Sequence, residues 1–456
     1  TSRPIRSLRN LKKCIATPRA TDTVSHLRRP MTLHDRPLLR LITLCSLYLT
    51  QGLPYGFMFI TLSAVLAKEG QSPGDIGDLL KYATLPWAFK WLAGPVIDRF
   101  GVPSMGRRRP WILVAQTGMI ASLLVLSFGP DPLTHQGLLV AGLFFMSACS
   151  ALQDVSVDAL AVDMLRDSER GRVNGFMYGS SYLGNALGGA GLGTIVATGG
   201  LRMGFLVIAV VVAFVMLLPL FLREHQSERL LPWTSGQASP EAPALADSAV
   251  TVFKRLVRVF MLRSTIALAL VTLLISIPSG MLTGYSSVLI MQDLGWSVEK
   301  NATWSGIATW MGLFGSIGGG LLADRMGPRR LAMVAGTGLA LSNLIFADSR
   351  ALWQYDSFII GQMFLDSLLS GLLYVSLFTL CMKVSWPMVA ATQFTAYMAL
   401  LNLSRTIGQD LTGRIEDSVT VQGAFALAAA LQVAPLLLLA LVDPGQTRRV
   451  LGGGDD

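Results

Sequence analysis

Read as alternating apolar and polar stretches, the chain divides into twelve apolar segments separated by short polar turns. Each is near or above the roughly 20 residues that a helix needs to cross a bilayer core. The first six run roughly over 39–66, 75–97, 110–129, 136–163, 171–198 and 201–222. The second six run roughly over 263–292, 302–323, 330–348, 352–382, 388–414 and 420–442. Residues 223–260 interrupt the series with Arg, Glu, His, Gln, Ser and Pro, a composition that predicts a flexible linker. The expected organisation is a tail (1–38), a six-helix unit (39–222), the linker (223–260), a second six-helix unit (261–443) and a short tail (444–456). The predicted fold class is an all-α membrane protein of twelve transmembrane helices in two pseudo-symmetric six-helix bundles.

A repeat supports the division into halves. Gly94-Pro-Val-Ile-Asp98-Arg99-Phe-Gly101 ends the second segment, and Gly320-Leu-Leu-Ala-Asp324-Arg325-Met-Gly327 ends the eighth. One constant offset, about half the chain, maps the first motif onto the second, the mark of two homologous halves. Basic residues follow each motif, including Arg107 and Arg108 after the first.

Composition sharpens the picture. Charged residues make up 14% of the 456 residues, against about 25% in a typical soluble protein. The net charge of +9 could suggest a nucleic-acid partner, but its placement argues against one. Lys and Arg crowd the tails and alternate loops, whereas the opposite loops hold Lys68, Arg202, Lys300, Arg350 and Arg414. That asymmetry predicts that both termini, the linker and both Asp-Arg turns are cytoplasmic. The four Cys are scattered without a CxxC, and the four His lie in tails or loops. No metal site, cofactor or catalytic pair is predicted, so an enzyme is not expected. Met31 reads as a candidate natural start, and residues 1–30 are given no functional weight.

Charges inside spanning segments are costly and default to functional hypotheses. At 1.5 Å rise per residue, Lys90 and Asp158 lie about 12 Å from the basic end of their helices, with Asp154 one turn deeper than Asp158. Lys81, Asp366 and Arg405 lie about 25 Å in. Two tiers follow: Lys90 with Asp154 and Asp158, and Arg405 with Asp366. Either tier serves proton coupling, or both are static ion pairs that fix packing. Gln51, Tyr55, Lys81, Gln153, Tyr178, Asn185, Gln393 and Tyr397 complete a mostly apolar candidate cavity suited to an amphipathic, anionic solute. Tyr and Gln on such helices also serve as interhelical glue. The fifth segment carries Gly179, Gly184, Gly188, Gly189, Gly191 and Gly193, and the eighth carries Gly306, Gly312, Gly315, Gly318, Gly319 and Gly320. These seams allow close approach, either between the halves or within each.

The twice-repeated Gly-x-x-x-Asp-Arg-x-Gly turn resembles the signature of the major facilitator superfamily. The resemblance implies a latch in which Asp98 caps the start of the eleventh helix near Pro387, and Asp324 caps the fifth near Arg170. Gly94, Arg99, Gly101, Arg107, Arg108, Arg325 and Gly327 would build the latch turns. The alternative is a turn that only sets topology. Further residues narrow the likeness: Gly52-Leu53-Pro54, Phe89-Lys90, Gln153-Asp154, Asp158-Ala159, Asp163, Glu169, Ser370-Gly371, Ala391-Thr392-Gln393-Phe394 and Arg405. This constellation resembles the AmpG muropeptide permeases and the peptide–acetyl-coenzyme A transporter group. It implies proton-coupled import of an anhydro-muropeptide across a bacterial inner membrane, serving peptidoglycan recycling. A siderophore or another small molecule is the alternative solute, and a membrane enzyme or sensor the remote one. The expected partners are a small-molecule solute and the lipid bilayer, with no nucleic acid. The expected state is a monomer, and the proton gradient is the energy source.

Overall fold

A computed structural model describes residues 32–100, 102–237 and 249–452. Among these the structure is helical, with one isolated bridge between Thr32 and Arg223. Among the described residues, nine helices are long and apolar enough to cross a membrane by length and composition. The fifth and sixth spans are merged in that count, because Val173–Phe221 is continuous through Gly200. Gly200 has φ 74, which breaks the helix into two passes. Span two is interrupted at Phe89, between Pro73–Ala88 and Ala93–Arg99. Span eleven, Ala390–Ile415, carries Arg405, Asp410 and Arg414, which dilute its hydropathy. With these the spans among the described residues number twelve. Large apolar side chains such as Phe128, Phe214 and Leu437 remain exposed on the outer surface, where a bilayer would solvate them.

The two ends of the bundle differ. The end that carries the Asp-Arg turns is called the basic end here, and the opposite one the far end. Span one (Pro37–Lys68) and span five meet through glycine: a Cβ on Gly52 would lie 2.0 Å from the Ser181 carbonyl oxygen, and one on Gly188 2.0 Å from that of Leu53. Both spans contain a wider-turn segment here, Phe57–Leu62 and Leu187–Gly191. Thr61 donates to the carbonyls of Gly188 (3.0 Å) and Gly189 (2.9 Å), satisfying acceptors that the local loss of regular helix exposes.

The seams lie mostly inside each half. Gly184 and Gly188 face span one, and Gly315 and Gly371 join span eight (Val298–Met326) to span ten (Asp356–Val384). Only the far-end members face the other half: Gly193 meets Ala302, and Gly306 meets Ala190. Close packing within a half therefore accounts for most of these glycines.

The linker needs correction. Residues 223–237 are not a loose tether but a folded cover on the basic end of the first half. The Glu224 carboxylate accepts from the backbone N–H groups of Arg107 (3.1 Å), Arg108 (3.0 Å) and Arg109 (2.6 Å). These amides open span three (Arg109–Phe128) and have no partner within their own helix. The buried Arg109 guanidinium donates to the carbonyls of Met105, Pro219, Leu220, Arg229 and Leu230. Leu33 N–H donates to Arg223, so the segment before span one joins the same cover. A further helix, Ala249–Phe260, ends with Val259 buried and the Phe260 ring 5.8 Å from that of Tyr397. Residues 238–248 lie outside the described residues.

Candidate translocation site

Span two and span four (Gln136–Met164) bring the inner-tier charges together. Lys90 Nζ lies 2.7 Å from Asp154 Oδ2, and both side chains are about nine-tenths buried, at 12% and 9% exposure. The break after Ala88 makes this possible, since Lys90 begins a short tighter turn there. Trp87 adds a ring face 5.6 Å from the ammonium. Asp158, one turn along span four, accepts from the hydroxyl of Tyr48 on span one. Asp158 is nevertheless solvent-exposed, unlike Asp154. Tyr48 packs edge-on against Tyr178 of span five at 5.7 Å, and Tyr178 reaches Phe378 of span ten at 6.4 Å. The inner tier thus faces the junction of the halves.

The outer tier is arranged differently from expectation. Arg405 and Asp366 form no ion pair within 4 Å. The Arg405 guanidinium instead crosses to the first half, 5.7 Å from the Tyr55 ring and 5.0 Å from the Phe59 ring. It also interacts with Tyr374, whose hydroxyl lies 3.1 Å from Ser276 Oγ. Asp366 lines a cavity formed by second-half residues, Tyr374 among them. The aromatic faces attract the cation without supplying a charge.

Several cavity candidates lie elsewhere. Lys81 pairs with Asp78 (2.7 Å) and Asp410 (2.9 Å) toward the far end, outside any central space. Gln393 is fully buried and clasps the turn before span eleven, accepting from Trp386 N–H at 2.9 Å and donating to the Tyr397 hydroxyl at 3.0 Å. Tyr397 is fully buried as well. Gln153 donates to Leu47 O (2.9 Å) and Thr50 Oγ1 (3.2 Å), tying span four to span one. These side chains are glue, because backbone acceptors inside an apolar bundle have no water to pair with. Gln51 is buried with its amide nitrogen unpartnered, and Asn185 lies against Gly56. Tyr55 and Tyr178 are the cavity candidates placed at the junction of the halves.

Cross-half hydrogen bonds among the described residues run from the middle to the far end. Gly74 N–H donates to Glu416 (2.6 Å), Thr84 to Gln409 (2.9 Å), and Gln292 to the carbonyls of Ala67 (2.8 Å) and Gln71 (2.9 Å). Nearer the middle, Tyr182 meets Ser316 at 3.2 Å. Of the latch residues, the side chains of Asp98 and Arg99, and Gly101 as a whole, lie outside the described residues. Asp324 and Arg325 are exposed, and Asp324 has no ion-pair or hydrogen-bond partner among the described residues. Gly327 has φ 87, a conformation that glycine adopts without strain, and Gly94 has open space where a Cβ would stand. Arg108 pairs with Asp163 (2.9 Å) within the first half, and the Arg107 amide with Glu224 of the cover that follows it.

Sequence reasoning missed Tyr48, Asp410, Glu416 and Tyr374. Asp410 and Glu416 sit near the charged residues already noted on span eleven, and that proximity was the available signal.

The family model of the Major Facilitator Superfamily matches residues 44–409. One stretch is 32% identical over 120 residues to the anhydromuropeptide permease of Escherichia coli K12, covering 26% of this chain and 24% of that one. Another is 36% identical over 90 residues to an uncharacterized protein of Haemophilus influenzae, covering 20% and 21%. The matched stretches thus span about a quarter or less of these relatives. Among solved structures, a nucleoside transporter superposes with TM-score 0.67 at 13% identity, over 88% of this chain and 100% of that one. A D-xylose-proton symporter superposes with TM-score 0.59 at 14% identity, over 87% and 96%. Likeness at such identities is likeness of fold. The family match runs over most of both halves, and the chain belongs to the Major Facilitator Superfamily.

Proposed function

We propose that this chain is a secondary active importer that carries an amphipathic, anionic solute of the anhydro-muropeptide class across a bacterial inner membrane, coupled to protons. The observation that carries the reading is a far end tied together across the two halves. Lys81–Asp410 and Gly74–Glu416 hold the far end together, and the intramembrane Asp158 is exposed rather than enclosed by its neighbours. With the basic end cytoplasmic, as the Lys and Arg asymmetry favours, a bundle joined at its far end is the state in which an imported solute would be released. The aromatic wall of Tyr48, Tyr55, Tyr178 and Phe378 would carry the apolar part of the solute, and Arg405 its negative group. The inner tier of Lys90 with Asp154 and Asp158 would carry the proton coupling. The substrate class rests on the similarity to the anhydromuropeptide permease of Escherichia coli K12.

Proteoliposomes test the reading. Labelled anhydro-muropeptide should accumulate under an inward proton gradient, and a protonophore should abolish accumulation. Accumulation that ignores the protonophore would remove proton coupling. Accumulation of a ferric siderophore instead would replace the substrate.

A further inference from the structure

A second cavity is lined by second-half residues, including Tyr374, which also interacts with Arg405, and one of its walls is span seven (Arg263–Asp293). It is bounded by spans seven, nine (Pro328–Asp348), ten and twelve (Val421–Leu439). Its volume is about 240 Å³, below the roughly 300–1,000 Å³ of pockets that enclose a drug-sized ligand. It has room for one small ring or end group.

Three polar heads in it have no hydrogen-bond partner among the described residues. Gln432 is 4% exposed with its amide nitrogen buried and unpaired. Asn343 is 6% exposed, and its amide makes no hydrogen bond. The Asp366 carboxylate also lines the space without hydrogen bond or ion pair. Native interiors rarely leave such groups unsatisfied, and each one asks for an explanation. Ser286 and Gln362 add further polar atoms to the lining. Phe346 and Phe425 form an aromatic wall, with ring centroids 4.5 Å apart. Amide donors, one carboxylate acceptor and flat aromatic faces complement a ring that presents hydroxyl or acetamido groups on its edge and C–H groups on its face.

We propose that this cavity is a binding site for one neutral hexopyranose unit, with Asn343 and Gln432 donating to it and Asp366 accepting from its hydroxyls. The inference deepens the proposed function, because it assigns a place for the sugar end of the solute. It does not need the peptide part to be correct.

The test is binding of free N-acetylglucosamine and methyl glucoside to the purified full chain in detergent, read by thermal shift and by calorimetry. Butylamine and a dipeptide of alanine and glutamate are the controls. The sugars should raise the unfolding midpoint in a saturable way, and the controls should not. Asn343→Leu and Gln432→Met should each weaken sugar binding about tenfold, the loss expected for one hydrogen bond. Ser286→Ala, which removes one hydroxyl, replaces either variant that fails to fold and should weaken binding by a smaller factor. Stabilisation by butylamine but not by sugar would overturn the proposal, as would sugar binding that these variants leave unchanged. Anhydro-muropeptide uptake distinguishes the two readings. Normal uptake without sugar binding in the wild type sinks the cavity assignment alone. Sugar binding without muropeptide uptake sinks the substrate assignment alone.

Discussion

Lys81 Nζ lies 2.9 Å from Asp410 Oδ1, joining span two of the first half to span eleven of the second near the far end. Asp78 and Arg414 extend this pair into a row of four charges, at 2.7 Å on either side. Beside it Thr84 and Gln409 continue the contact inward through neutral hydrogen bonds. The row ties the two halves together at one end of the molecule.

Weakening that row should open the far end. A partly exposed pair contributes about 0.2–1 kcal/mol, so Asp410→Asn should shift the balance of states by up to about fivefold. A cysteine placed at the buried Thr84 should then react faster with an impermeant thiol reagent from the far side. Exchanging the charges, Lys81→Asp with Asp410→Lys, should restore slow labelling. Unchanged labelling in Asp410→Asn would show that the row does not hold the end shut.

Lys90 and Asp154 should behave as a unit. Removing only the carboxylate strands a buried ammonium, at a cost of about 3–5 kcal/mol. Asp154→Asn should lower the unfolding midpoint sharply, and Lys90→Met with Asp154→Leu should recover it. If the pair couples protons, the double variant should fold well yet lose gradient-driven uptake. A stable double variant with full uptake would leave the pair a packing device.

The glycines divide by what they touch. Gly52→Ala and Gly188→Ala should each destabilise by about 1–3 kcal/mol, because the added methyl meets a carbonyl oxygen at 2.0 Å. Gly318→Ala should be silent, since nothing lies within 4 Å. Unfolding midpoints for the three variants decide this.

What was readable in the sequence has a physical pattern. Length and apolarity fix spans, so the twelve segments and their halves could be read directly. Depth along a helix is also readable, which is why Lys90 and Asp154 could be paired. Rotation about the helix axis and the choice of neighbour are not. Lys81 was read at a fair depth, but its partner lies 329 residues away on a helix whose facing side the sequence leaves open. Gln393 and Tyr397 look the same in an apolar run whether they face a cavity or clasp a turn. Residues 223–237 looked loose because their polar side chains are satisfied by distant backbone groups, chiefly the amides of Arg107, Arg108 and Arg109.

That folded cover should respond to pH. Burial, reinforced by the neighbouring Glu224 charge, pushes the Glu228 carboxyl up to about 7 from an ordinary 4.5. Burial raises Glu224 as well, against the three amides that favour its charge. Between those values the folded segment binds a proton that the unfolded segment releases, so its stability falls as pH rises from about 4.5 through about 7. Hydrogen exchange of the amides in 223–237, corrected for intrinsic rates, should lose protection on the order of tenfold from pH 5 to pH 8. Glu228→Gln should flatten the profile.

The central claim is that the halves exchange which end is closed. Spin labels at Thr134 and Ala351 report the far end, and labels at Arg166 and Lys383 the basic end; all four positions are exposed. Pulsed electron–electron resonance on these pairs, in reconstituted protein with and without solute and acid pH, measures the exchange directly. The account predicts that the basic-end distance shortens as the far-end distance lengthens. Distances that stay fixed, or that change in the same sense at both ends, would contradict it.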